Sequence, residues 1–259
     1  NEVVEAGGAQ ALEPVAATIT AMGEFLRGGD EDYRIEFSVA RDFDGGSFSN
    51  RRVIAAQNGV PILNLTASFQ RPEDGLAHDD VTMPDVAPPE EVSSDTEMRR
   101  KMVERAGDRM TEQQRALILR PRPIEMRTVD RLHWMDSEPR EPRAHSWFRT
   151  VAPLPSIEQN AALHRAVIAY ASDYTLLGTS ALPHGLSWMR GELVGASLDH
   201  AIWFHRPARA DEWLLYATDA PWSGGGRGFN RGRIFNRAGE LVASVAQEGM
   251  MRKRVKTGE

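Results

Sequence analysis

Three features of the sequence predict an α+β fold in which a curved antiparallel sheet wraps a central helix, with that unit present twice. A long amphipathic helix follows the spacing Ser156-x-x-Gln159, which is that of a capping box. Behind it come short β-prone runs separated by Pro, Asp and Gly clusters, the pattern of an antiparallel meander. A stretch of the first half also recurs in the second.

Taken in order, residues 24–38 lead into β-prone runs at 51–56 and 62–69, with Asn58-Gly59 between them. Asn and Gly tolerate positive φ, so this dipeptide predicts a type I′ hairpin that pairs the two runs antiparallel. From Arg71 to about Arg120 the composition shifts to dense charge with Pro72, Pro84, Pro88 and Pro89. That segment reads as a linker over the surface, with a short helix around 98–106. Strands are expected at 123–127 and 146–151. The helix then starts at Ser156 and runs four to five turns, with Leu163, Ala166, Val167, Tyr170, Tyr174 and Leu177 forming its apolar stripe. Strands at 201–204, 213–217, 232–235 and 241–245 complete the unit.

The repeat aligns Gly45-Gly46-Ser47-Phe48-Ser49-Asn50-Arg51-Arg52-Val53-Ile54 with Gly226-Arg227-Gly228-Phe229-Asn230-Arg231-Gly232-Arg233-Ile234-Phe235. Each copy is followed by a glycine turn, at Gly59 or Gly239, and then an apolar strand ending in Gln70 or Gln247. The expected division is a first unit, shortened or N-terminally incomplete, over residues 1–82, a linker over 83–118 and a second unit with the candidate site over 119–259.

Composition excludes several classes. The net charge of the 259 residues is −6, from 31 basic and 37 acidic side chains, and no long basic block is present, so nucleic acid is not the expected partner. With no cysteine there are no disulfides, thiolate nucleophiles or Cys-based zinc sites, and the default compartment is the cytoplasm. The seven histidines lack ligand spacing, so no metal and no other cofactor is expected. No apolar run approaches the roughly 20 residues of a membrane span.

The chain resembles the type II acyl-CoA thioesterases, double hotdog proteins in which each hotdog is a sheet wrapped around a long helix. The resemblance covers roughly residues 25–252. It rests on Phe25-Leu26-Arg27-Gly28-Gly29-Asp30, Gly46-Ser47-Phe48-Ser49-Asn50-Arg51-Arg52-Val53, Thr66-Ala67-Ser68-Phe69-Gln70, Tyr170-Ala171-Ser172-Asp173 and Leu182-Pro183-His184-Gly185. Two further matches are Gly195-Ala196-Ser197-Leu198-Asp199-His200-Ala201-Ile202-Trp203-Phe204-His205-Arg206-Pro207 and Val245-Ala246-Gln247-Glu248-Gly249-Met250-Met251-Arg252. It implies hydrolysis of acyl-CoA to a fatty acid and coenzyme A, a homo-oligomer (dimer or tetramer), and Asp173, Ser197 and Gln247 as the catalytic set. The family more often has Thr where Ser197 stands. The opening also departs from the family, since Gly7-Gly8-Ala9-Gln10-Ala11-Leu12 is compressed and Ala21-Met22-Gly23-Glu24 replaces a His-rich strand.

The chemistry of the three residues agrees with that transfer. On a helical wheel Asp173 projects about 70 to 80° from the centre of the apolar stripe, at its border, where a carboxylate meets the sheet. It can accept the proton of an attacking water that Ser197 and Gln247 aim, while a backbone N–H near a turn or helix start holds the oxyanion. There is no Gly-x-Ser-x-Gly elbow and no cysteine, which leaves direct attack by water. Strand alternation puts His200 and His205 on opposite faces, so His200 and Asp199 read as structural supports. Gly224-Gly225-Gly226 followed by Arg227 reads as a flexible loop suited to the phosphates of coenzyme A, with Arg231 a further candidate. Two alternatives remain open. One is an enoyl-thioester hydratase or dehydratase dependent on His200, and the other is a non-catalytic acyl-CoA binding protein.

Overall fold

The computed structural model describes residues 17–130, 138–186, 188 and 190–254. The Gly-Gly-Ala-Gln segment at 7–10 lies outside them. In chain order the elements begin with strands β1 (Ala17–Phe25), β2 (Glu36–Asp44), β3 (Phe48–Gln57) and β4 (Val60–Gln70). Helices α1 (Asp95–Ala106) and α2 (Glu112–Leu119) follow, then β5 (Ile124–Thr128) and β6 (Arg143–Thr150). The long helix α3 (Ile157–Ser172) and the single turn α4 (Leu176–Thr179) precede β7 (Leu193–Ser197) and β8 (Asp199–Phe204). The chain closes with β9 (Leu214–Gly224), β10 (Arg227–Phe235) and β11 (Leu241–Lys253).

All eleven strands form one antiparallel sheet in the order β2-β3-β4-β1-β8-β11-β10-β9-β6-β5, with β7 added on β11. The β1–β8 pair at its centre joins two similar runs of strands, β2-β3-β4-β1 and β9-β10-β11-β8. The recurring sequence stretches are β3–β4 and β10–β11, which occupy matching places in the two runs. In the first hairpin Asn58 and Gly59 take φ of 50° and 74°, the two successive positive values of a type I′ turn.

The curved sheet holds α3 against its second half. Ile168 and Ala171 pack with Phe148, Tyr216, Ile234 and Val245 in the main core. Alternation sends the neighbours of these strand residues to the other face, where Trp147, Leu215, Ala217 and Phe235 are covered by Val81, Met83 and Val86. The indole of Trp147 donates to the Ala87 carbonyl at 2.9 Å and fastens that cover.

Three expectations need correction. The buried face of α3 is His164, Ile168, Ala171 and Ser172, whereas Ala166 and Tyr170 of the expected stripe are exposed. The face is rotated because His164 belongs to the core, its Nε2 facing the Pro155 carbonyl at 2.8 Å and its Nδ1 accepting from the Ala210 amide at 3.0 Å. Residues 83–118 are more than a linker over the surface. They include α1 and α2, and Asp95, Arg99 and Val103 are buried against the second half. Lastly, the glycines at 224–226 form no flexible loop. Gly225 and Gly226 take φ of 57° and 77°, so β9 and β10 run directly into a two-residue turn.

Tyr216 ties the end of α3 to the sheet. It is buried, its hydroxyl donates to the Ser172 carbonyl at 2.9 Å, and Phe148 meets its ring edge-on at 6.3 Å. The ring lies over Gly232, where an added Cβ would stand 2.3 Å from the Tyr216 Cε2. Gly232→Ala is therefore expected to destabilise the protein by about 1 to 3 kcal/mol through overpacking. Urea unfolding should show a lower midpoint at an unchanged m-value; an unchanged midpoint would contradict this packing.

Candidate active site

The three residues singled out by sequence come together. Asp173 caps the C-terminal end of α3, Ser197 ends β7 and Gln247 lies within β11. Strand register accounts for the two polar partners. Ser197 stands opposite Gly249, two residues along β11 from Gln247, so both side chains leave the same face of the sheet. On that face Ile202 and Val245 pack with α3, and Asp173 is the first residue past the end of the helix.

Oδ1 of Asp173 accepts two hydrogen bonds, one from the Ser197 hydroxyl at 2.9 Å and one from the Gln247 amide nitrogen. No described residue bonds Oδ2, and 41 % of this side chain is accessible. Gln247 is buried, and its second amide hydrogen goes to His200 Nδ1 at 3.2 Å. Its Oε1 is buried with no partner among the described residues.

His200 stands behind the amide. Nδ1 accepts from Gln247, so the proton is on Nε2, which donates to Ser172 Oγ at 2.8 Å; that hydroxyl donates in turn to the Ala169 carbonyl at 2.7 Å. Burial lowers the His200 pKa, against the opposing pull of the Asp173 and Asp199 carboxylates. Asp199 accepts the Glu248 amide at 2.8 Å, a structural bond. His205 is held elsewhere by Ser244 at 2.9 Å, so the two histidines do not converge.

Asp173 and Ser197 line a cavity of about 630 Å³. Leu117, Ile118, Met126, Leu177 and Trp188 give it apolar walls, and Asp95, Arg99 and Arg122 also reach it. These α1 and α2 residues were missed when 83–118 was read as a surface linker. The short helix expected around 98–106 is α1, and the cap spacings Ser94-x-x-Glu97 and Thr111-x-x-Gln114 could have fixed its start and revealed α2, since Ser94 and Thr111 do cap them.

Arg227 and Arg231 lie outside that cavity. Arg227 meets both oxygens of Glu248, at 3.1 and 2.9 Å, and Arg231 pairs with Asp219 at 2.8 Å, so each exposed guanidinium already has a carboxylate. Among the described residues no group of three His, Cys, Asp or Glu side chains is placed to hold a metal ion, and no helix is long and apolar enough to cross a membrane.

A carboxylate, a hydroxyl and an amide converge beside the cavity at the end of a sheet-wrapped helix, in a protein of the hotdog fold. The chain belongs to the acyl-CoA thioesterase family, whose C-terminal domain matches residues 86–251. Among curated proteins it is 36% identical to human acyl-coenzyme A thioesterase 8, over 91% of this chain and 73% of that protein. It is 33% identical to acyl-CoA thioesterase 2 of Haemophilus influenzae, over 88% of this chain and 77% of that protein. The crystal structure of acyl-CoA thioesterase II TesB2 from Mycobacterium marinum superposes with a TM-score of 0.73, at 38% identity, covering 94% of this chain and 83% of the other.

The depressed His200 pKa gives a signed expectation. In the unfolded chain His200 titrates at its ordinary 6.5, and the folded state resists that proton. Between those two values the unfolded state binds more protons, so stability is fully present above 6.5 and declines as pH falls toward the folded-state pKa. His205 shifts in the same direction and contributes a share. Urea midpoints taken from pH 7.5 down to 5 should therefore drop, and less steeply in His200→Asn; equal slopes would contradict a buried neutral His200.

Proposed function

We propose that the protein hydrolyses acyl-CoA thioesters to a fatty acid and coenzyme A by direct attack of water, with Asp173 as general base. The observation that carries this reading is the double donation to Asp173 Oδ1 beside the cavity. Ser197 and Gln247 hold the carboxylate in one orientation and leave Oδ2 for the attacking water. The water oxygen bonds to the thioester carbon as Asp173 takes a proton. The tetrahedral intermediate then collapses with cleavage of the C–S bond, and the leaving thiolate recovers the proton.

Ser197 acts as a positioning hydroxyl in this scheme. Its hydrogen goes to a carboxylate, so it lacks the histidine base of an acylating serine. The hydratase reading is less well supported, because both ring nitrogens of His200 are occupied by Ser172 and Gln247 and the ring does not line the cavity. We place the protein in fatty-acid metabolism in the cytoplasm, as a homo-oligomer of chains that each carry two hotdog units, 1–82 and 119–259. Exposed Phe37, Val39 and Phe43 on the edge strand β2 support association through that side.

Free-thiol release from short, medium and long acyl-CoAs tests the reading. The parent should release thiol, and Asp173→Asn should reduce kcat by about 10² to 10⁴. Ser197→Ala and Gln247→Ala should give smaller losses. Binding of acyl-CoA with no release from any chain length would leave the non-catalytic reading in its place.

A further inference from the structure

The proposed reaction makes no use of two arginines in the cavity wall. Arg99, on α1, is 8% exposed, and its Nε has no hydrogen-bond partner among the described residues. Arg122 is exposed and stands over the Tyr174 ring, 5.6 Å from its centroid. Both line the cavity that contains Asp173 and Ser197.

Asp95 attracts Arg99 from outside ion-pair distance. Asp95 lies one turn before Arg99 on α1, but its Oδ1 accepts the Thr128 amide at 2.8 Å and its Oδ2 the Thr128 hydroxyl at 2.9 Å. Among the described residues no carboxylate is within ion-pair distance of either guanidinium. Burial and the neighbouring Arg122 lower the Arg99 pKa, while Asp95 and Tyr174 act against them. A guanidinium keeps its charge at any working pH, and a largely buried one gains from an anion brought within hydrogen-bond reach. By contrast, Arg227 and Arg231 on the exposed sheet face each have a carboxylate.

We propose that Arg99 and Arg122 form a subsite for an anionic group carried by the thioester substrate. The group is either a carboxylate at the far end of the acyl chain or a phosphate of coenzyme A. Both offer the planar fork of Arg99 two acceptor oxygens. The apolar walls from Leu117, Ile118 and Leu177 suit methylene groups within the same cavity. This deepens the thioesterase reading and rests on it.

The test compares octanoyl-CoA, suberoyl-CoA and octanoyl-pantetheine, the last without the diphosphate or the nucleotide, in the parent, Arg99→Met, Arg99→Lys and Arg122→Gln. A charge-assisted pair corresponds to about a 10- to 100-fold change in kcat/KM. If the acyl carboxylate is the anion, the suberoyl-to-octanoyl ratio of kcat/KM falls by that factor in Arg99→Met and recovers in part in Arg99→Lys. If a phosphate is the anion, both CoA esters lose by that factor while octanoyl-pantetheine does not. Equal effects on all three substrates, or none, in folded Arg99→Met and Arg122→Gln would overturn the subsite. Calorimetric titration of suberate and of coenzyme A into the parent and Arg122→Gln reads the subsite without turnover. An absence of thiol release from every substrate would therefore reject the thioesterase while the subsite is still decided: weaker anion binding in Arg122→Gln supports it, and equal binding rejects it.

Discussion

The end of α3 and the turn after it can approach the sheet because the strands beneath them carry glycine. At Gly249 an added Cβ would meet Leu177 at 2.4 Å, and at Gly228 it would meet Ser180 Oγ at 2.2 Å. Those bare positions let residues 176–180 settle into the sheet, where the Ser180 amide donates to Asn230 Oδ1 and the Thr179 hydroxyl meets that of Thr218. Asp173 lies between this anchored turn and the Tyr216-bound end of α3, so its carboxylate cannot drift far from Ser197 and Gln247. The arrangement of the site follows from that close packing.

Much of this was legible in the sequence. The Asn58-Gly59 turn, the Ser156–Gln159 capping box and the recurring hairpins are local signals, and local signals survive folding when tertiary packing agrees with them. The convergence of Asp173, Ser197 and Gln247 was reached through family resemblance, and the geometry gives each of them a reason to be there. Asp173 is half-buried as expected, though it reaches the sheet by capping α3 and not by flanking the expected stripe.

The errors share a physical origin. His164 was no part of the expected apolar stripe, yet two main-chain partners make it a core residue. Residues 83–118 looked like a surface crossing because charge and proline dominate them. Asp95 enters the core because Thr128 supplies both of its hydrogen bonds, while the Arg99 Nε has no such partner among the described residues. Burial of a charged residue depends on a partner far away in sequence, and patterning cannot see that partner.

Strand β11 pairs with β8 through Ala246 and with β7 from Gly249 onward, so it changes neighbours across Gln247 and Glu248. At that fork the Glu248 amide turns to the Asp199 side chain and its carbonyl takes the Leu198 amide. A side chain completes a main-chain group of Glu248 at the fork, and the side chain of the adjoining Gln247 is free to reach Asp173 and His200. In this sheet the candidate site falls where two strands part company. A residue exchanged there alters reactivity while the ladders on either side keep their register.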